Sequence, residues 1–95
     1  MTTLDLLHLR NSVAALAAAS IRYAPKSSDF AQLRKIENEM EELSNAMHFQ
    51  TQEETAIECA DVVIAAVRLG AMLSDDFARV IADKCAELDL REPLA

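Results

Sequence analysis

Residues that break helices are almost missing from this sequence, which has one glycine and two prolines among 95 residues. Ala, Leu, Glu and Arg, which extend helices readily, are frequent instead. Apolar residues recur at intervals of three and four, the spacing that gives a helix one apolar face. No segment alternates apolar and polar residues, and no Asn-Gly turn occurs. We therefore expect an all-α fold, a four-helix bundle in a single domain over residues 1–95.

The first two helices are predicted from their apolar spacing and from the residues at their ends. The first runs from about Thr3 to Tyr23, and the segment Pro25–Ser28 breaks it. The second starts near Asp29, where Asp29 and Gln32 have the spacing of a capping box. The predicted apolar faces are Leu6, Leu9, Val13, Leu16 and Ser20 on the first helix and Leu33, Ile36, Met40, Leu43 and Met47 on the second.

The third and fourth helices follow closely. The third starts near Thr51, where Thr51 and Glu54 form a second capping-box pattern, and Gly70 is expected to end it. The fourth starts at Ser74, and the two aspartates that follow suit the positive end of the helix dipole. The predicted apolar faces are Ile57, Ala60, Ile64, Val67 and Ala71 on the third helix and Phe77, Val80, Ile81, Cys85 and Leu88 on the fourth.

The net charge limits the classes of partner. Sixteen acidic and nine basic residues give a net charge of −7, which argues against binding to a nucleic-acid polymer or an anionic membrane. The N-terminal segment lacks the pattern of a signal peptide, and the Ala-rich stretch Val13–Ile21 is too short to span a bilayer. Cys59 and Cys85 lack metal-binding spacing and are expected to be free thiols. We expect a cytoplasmic protein.

Two acidic pairs stand out. Glu39 and Glu42 are three residues apart on the second helix, and Glu58 and Asp61 repeat this spacing on the third. Residues at this spacing lie one turn apart on the same side of a helix. Each pair borders the apolar face, so antiparallel packing of these two helices would bring four carboxylates together.

Four carboxylates in a partly buried site repel one another and lose solvation. A hard divalent cation removes that cost, and Mg²⁺ prefers oxygen ligands and readily adds phosphate oxygens. The sequence therefore predicts a Mg²⁺ site formed by Glu39, Glu42, Glu58 and Asp61, which Mn²⁺ can also occupy. For either pair alone, a solvated acidic helix surface is the alternative.

The acidic pairs lie within longer motifs. The segments Lys35–Leu43 and Glu58–Val63 resemble the ExxE and ExxD motifs of the MazG-like all-α nucleoside triphosphate pyrophosphohydrolases, a lineage that includes dimeric dUTPases. Arg68–Gly70 and the acidic stretch and Lys84 after it are similar to the family's downstream half. The resemblance implies Mg²⁺-dependent hydrolysis of a (deoxy)nucleoside triphosphate to the monophosphate and pyrophosphate. It also implies catalytic roles for the four carboxylates.

The chain departs from the family pattern at several positions. Asn38 and Ile57 stand where the family often has an additional Glu, and Glu41 stands where it often has a small residue. A family-typical Asn four residues after Lys84 is replaced by Leu88. If the family's general base is one of the additional glutamates, one of the four remaining carboxylates must take that role here.

Candidate substrate-binding residues lie outside the acidic pairs. Lys84 and Arg91 are placed to neutralise the outer phosphates, and so is Lys35, four residues before Glu39. Because the family's N-terminal helix walls the base pocket, the resemblance makes His8 and Asn11 candidates for contacts with the base. Each of these residues has an alternative assignment as an ordinary surface side chain.

A chain of this size buries only a modest share of its surface, so we expect a homodimer or a homotetramer. The alternative function is a non-catalytic helical module that binds a protein partner through its acidic surface.

Overall fold

The computed structural model describes residues 2–22 and 28–89, which form four helices. They are α1 (Thr3–Arg22), α2 (Asp29–Phe49), α3 (Gln52–Leu73) and α4 (Phe77–Asp89). No strand occurs in these ranges, so the all-α prediction is confirmed. Several predicted positions lie outside the described residues or side chains: Tyr23, the break at 25–27, Arg91, and the side chains of Leu6 and Ser20.

Polar side chains cap the starts of α1 and α3. Thr2 Oγ1 accepts a hydrogen bond from the Asp5 N–H at 3.1 Å, and Asp5 Oδ2 accepts one from the Thr2 N–H at 3.0 Å. This is the reciprocal pattern of a capping box. At α3, Thr51 Oγ1 accepts from the Glu54 N–H at 3.1 Å, which confirms the predicted cap. Here the Glu54 carboxylate accepts from the Thr51 hydroxyl at 3.0 Å.

The cap of α2 differs from the prediction. Ser28 is the N-cap, with extended backbone angles, and its Oγ accepts from the Ala31 N–H at 3.1 Å. The predicted Asp29/Gln32 capping box is therefore wrong by one residue. Asp29 occupies the first helical position instead, where the helix dipole favours a negative charge.

The boundary between α3 and α4 also differs from the prediction. The α3 helix does not end at Gly70 but continues to Leu73, and Ser74 closes it by donating its N–H to the Gly70 carbonyl at 3.0 Å. Consequently α4 begins at Phe77, not at Ser74. Gly70 serves packing, because a Cβ atom built there would clash with the Phe77 ring. The glycine gives the ring direct access to the backbone of α3.

The helices pack in the order α2, α3, α1, α4, and α4 also makes a smaller contact with α3 at Gly70. The α-carbons of α2 come within 8 Å of those of α3 but not of α1 or α4 in the described residues. The α1 helix lies against both α3 and α4. The molecule is correspondingly flat, with principal extents of 37 × 36 × 19 Å. None of the described helices has the length and apolarity that a bilayer crossing requires.

Small residues form most of the core. Within the described part of the chain, the buried apolar side chains are Ala46, Ala65, Val67 and Ala71. Val67 and Ala71 were predicted to face the core. Several predicted core residues are exposed instead, namely Leu9 (52%), Leu33 (41%), Met40 (55%), Met47 (72%), Ile57 (60%), Val80 (43%) and Leu88 (58%), together with Ala60. On α2 the buried residues are Gln32 and Ala46, while Leu33, Met40 and Met47 are exposed.

Candidate metal centre between α2 and α3

The site lies between two antiparallel helices joined by a very short connection. Only Gln50 and Thr51 separate α2 from α3. The Gln50 N–H donates to the Ala46 carbonyl at 2.9 Å, and the Thr55 N–H donates to the Thr51 carbonyl at 2.9 Å. Both helix ends are therefore closed by hydrogen bonds, and α3 packs back along α2.

Two polar side chains help to fix the register of this pair. Next to the connection, Thr55 Oγ1 lies 3.2 Å from the Ala46 carbonyl and 2.8 Å from the Thr51 carbonyl of its own helix, so its single proton is shared between them. Near the start of α2, Gln32 Nε2 donates to the Ala65 carbonyl at 3.1 Å. Gln32 is only 3% exposed, and no other polar residue is buried in the described part of the chain. Because a buried amide is costly to leave unpaired, this bond favours a single alignment of α2 on α3.

The stripe of α2 that faces α3 is rotated relative to the predicted one. Its buried and half-buried members recur at intervals of three and four: Gln32, Ile36, Glu39, Leu43 and Ala46. The predicted stripe placed Glu39 beside the apolar face, whereas the structure places it within the contact. On α3, half-buried Thr55 and Glu58 face the same groove. The register therefore sets Glu39 opposite the acidic pair of α3.

Three of the four predicted carboxylates converge. One oxygen each of Glu39, Glu58 and Asp61 lies within 4.8 Å of the other two. Glu42, one turn beyond Glu39, is not a member of this set. The two acidic pairs thus meet as the sequence predicts, with Glu42 outside the tight group.

Two oxygens of this cluster lack a hydrogen-bond partner. Glu39 Oε2 and Glu58 Oε2 are shut off from solvent, and no protein donor reaches them. Buried polar atoms are nearly always paired, so an unpaired acceptor in a native site requires an explanation. A cation that takes oxygen ligands would satisfy both atoms, and the all-oxygen donor set fits Mg²⁺ or Mn²⁺.

The electrostatics of Glu39 are consistent with this interpretation. Loss of solvation raises the pKa of Glu39 above its ordinary value of 4.5, and the neighbouring Glu42 carboxylate raises it further. Asp61 and Glu58 contribute smaller repulsive effects in the same direction. Negative charge at Glu39 is therefore disfavoured unless a positive charge lies close to it.

A cleft of about 250 Å³ opens beside the cluster. Its walls are Lys35, Glu39, Asp61, Ile64, Ala65 and Arg68. Lys35 was predicted as a substrate-binding residue, and the structure places it here. Arg68 was not assigned to the site, although it lies seven residues after Asp61, close to two full helical turns. This spacing, which puts Arg68 on the same face of the helix as Asp61, is the sequence feature that could have pointed to it.

Of the other predicted substrate-binding residues, Lys84, His8 and Asn11 do not line this cleft. Lys84 forms an ion pair with Glu87 at 3.1 Å, and its side chain is 73% exposed. His8 and Asn11 are exposed on α1. Arg91 lies outside the described residues. Their roles in substrate binding remain predictions.

Comparison of the chain with known protein families, with curated proteins and with solved structures gives no match.

Proposed function

We propose that this protein is a Mg²⁺-dependent nucleoside triphosphate pyrophosphohydrolase, which converts a (deoxy)nucleoside triphosphate and water into the monophosphate and pyrophosphate. The observation that carries the proposal is the convergence of Glu39, Glu58 and Asp61 from two separate sequence motifs. The resemblance of those motifs to the ExxE and ExxD of MazG-like enzymes supplies the reaction class.

The residues of the cluster suit the metal that this reaction requires. Glu39, Glu58 and Asp61 would hold Mg²⁺, since each directs a carboxylate oxygen to one place and two of the residues have an unpaired buried oxygen. When bound, Mg²⁺ would offset the carboxylate charges and draw negative charge from the phosphate oxygens. A solvated acidic surface would not leave buried oxygens without partners.

The reaction needs no nucleophile from the protein. A water oxygen forms a bond to the α-phosphorus as the bond to the bridging oxygen breaks, and pyrophosphate leaves with that electron pair. Glu42 is suited to accept the proton of the water because it is exposed and lies outside the convergent set, yet is close enough to raise the pKa of Glu39. Lys35 lines the cleft and is suited to neutralise a phosphate oxygen.

We further propose that a second copy of the chain covers α2. Phe30, Leu33, Met40 and Met47 are 77%, 41%, 55% and 72% exposed, and the last three recur every seven residues. The chain exposes 7445 Å², whereas a folded monomer of its mass exposes about 5,400 Å². The difference exceeds the roughly 800 Å² that each partner buries in an ordinary interface.

Light scattering at micromolar concentration should give a dimer or tetramer, and Met47→Lys should lower the measured mass. A wild-type monomer would refute the proposed assembly.

The activity is tested by measuring pyrophosphate release from the common NTPs and dNTPs, with and without Mg²⁺. Hydrolysis of at least one in ¹⁸O-water should label the monophosphate and not the pyrophosphate. Orthophosphate and a diphosphate as products would contradict the proposed bond cleavage. No Mg²⁺-dependent release from any substrate would contradict the enzymatic assignment and favour the interaction module.

A further inference from the structure

Two cationic side chains share the cleft with the acidic cluster. Lys35 and Arg68 are both exposed and both line the cleft, where Glu39 and Asp61 form another part of the wall. No hydrogen bond or ion pair within 4 Å occupies either cation among the described residues. This contrasts with Lys84, which is paired with Glu87. The cleft thus presents two cations whose hydrogen-bonding capacity is unused.

The two cations lie toward the same end of the groove. Lys35 precedes Glu39 by four residues on α2, which is about 6 Å along the axis. Arg68 follows Asp61 by seven residues on α3, about 10 Å along its axis. Because α2 and α3 are antiparallel, both displacements point away from the connection at Gln50. The groove therefore runs from the carboxylates near its middle to a basic end.

The size of the cleft indicates which part of a nucleotide it can take. Its volume of about 250 Å³ is below the roughly 300–1,000 Å³ of pockets that enclose drug-sized ligands. It fits a phosphate chain better than a whole nucleotide. Arg presents a planar fork that binds phosphate oxygens in pairs, whereas Lys acts as a point charge.

We infer that Arg68, assisted by Lys35, binds the β- and γ-phosphates of the substrate, so that the leaving pyrophosphate lies at the end of the groove farthest from the α2–α3 connection. This inference rests on the proposed function of the site. It assigns to Arg68 the main role in holding the pyrophosphate moiety. The base and sugar would then lie toward the connection.

The test is calorimetric titration of the full-length protein with imidodiphosphate in the presence of Mg²⁺. Arg68→Gln should weaken binding by about tenfold or more, since hydrogen bonds between charged groups are lost. Arg68→Lys should recover only part of the affinity, and Lys35→Gln should show a smaller loss. Arg79→Gln is the matched control, because Arg79 is exposed on α4 and outside the cleft. Binding of Mn²⁺ alone, followed by electron paramagnetic resonance, should be retained in all four variants.

The outcomes separate this inference from the proposed function. If wild-type protein hydrolyses nucleotides but Arg68→Gln binds imidodiphosphate as Arg79→Gln does, the inference is overturned and the activity stands. If the wild-type protein binds imidodiphosphate but hydrolyses no nucleotide, and Arg68→Gln no longer binds imidodiphosphate, the activity is overturned and the phosphate site stands. Absence of imidodiphosphate binding to wild-type protein overturns the inference whatever the activity.

Discussion

The two helix hairpins that share α3 are held together in different ways. Between α2 and α3, the Gln32 amide donates to the Ala65 carbonyl at 3.1 Å, and the Thr55 hydroxyl lies 3.2 Å from the Ala46 carbonyl while sharing its proton with the Thr51 carbonyl of its own helix. Between α3 and α4, the Phe77 ring rests on Gly70 close to the connection. Polar contacts at two separated points limit both the sliding and the rotation of one helix on the other, whereas a single steric contact sets only a distance. Carboxylates on two different helices converge only where the register of those helices is fixed, as it is between α2 and α3.

The largest expected effect comes from removing one carboxylate of the better-fixed hairpin. Glu58→Gln should lower pyrophosphate release at least about a hundredfold, since the metal's stabilisation of developing charge is worth several kcal/mol. Its free energy of unfolding without metal should not fall, because the repulsion at Glu39 decreases. Glu53→Gln, an exposed change on the same helix, is the control for the assay and for denaturant unfolding. Full activity in Glu58→Gln would show that Glu58 is not a functional residue of the site.

A smaller effect is expected when the register of that hairpin is loosened. Gln32→Leu keeps the side-chain volume but removes the bond to the Ala65 carbonyl, so the carboxylates should converge less well. We expect Mn²⁺ affinity to fall roughly tenfold, as when the groups that orient metal ligands are changed. Gln52→Leu makes the same substitution at an exposed position. Equal Mn²⁺ affinity in the two variants would show that the Gln32 bond does not control the site.

The second hairpin should respond through stability and not through the metal. Gly70→Ala places a methyl group against the Phe77 ring, and overpacking costs about 1–3 kcal/mol. The better helix propensity of Ala returns up to about 1 kcal/mol. We expect net destabilisation in denaturant unfolding, with unchanged Mn²⁺ affinity. In a Phe77→Ala background the same change should be stabilising, and failure of the sign to reverse would rule out the ring contact as the cause.

The smallest predicted effect concerns pH. The raised pKa of Glu39 means that its protonated form stabilises the fold below the ordinary value of 4.5, and this contribution is lost as pH rises through the folded-state pKa. Without metal, Glu39→Gln should therefore match the wild type in acid and exceed its stability at neutral pH. Asp5, whose pKa the Thr2 hydrogen bonds lower, acts in the opposite direction but is present in both proteins. If the free energies of unfolding of the wild type and Glu39→Gln changed in parallel with pH, the raised pKa of Glu39 would be contradicted.

The fold class, the meeting of three carboxylates and one helix cap were predictable from the sequence. The all-α fold follows from apolar spacing and the scarcity of helix breakers. The meeting of Glu39 with Glu58 and Asp61 follows from two i,i+3 pairs on helices joined by a short connection. Thr51 was recognisable as a cap because its side chain suits the unpaired N–H groups of a helix start. Each of these depends on local spacing or side-chain chemistry.

The remaining features depend on rotation and close contact, which composition does not encode. Placing Gln32 in a helix cap and Glu39 at the border of the apolar face turned the predicted stripe of α2 by about one residue. In the structure they share the inward stripe with Ile36 because each meets a specific feature of α3. Gly70 was assigned to a helix end because glycine commonly occupies that place, while its contact with Phe77 involves another helix. The location of Arg68 in the cleft depends on the alignment of α2 on α3 that brings Lys35 to the same place.

The isolation of α2 from α1 and α4 has a dynamic consequence. Among the described residues of one copy of the chain, α2 touches only α3, so its opening leaves the contacts of α1 with α3 and α4 in place and has its own free energy. A cation ligated from both helices binds the closed form and shifts that equilibrium by mass action. Amide hydrogen exchange in α2 should then slow on adding Mn²⁺ more than exchange in α4 does. In this way metal occupancy would govern how long the two halves of the site stay together.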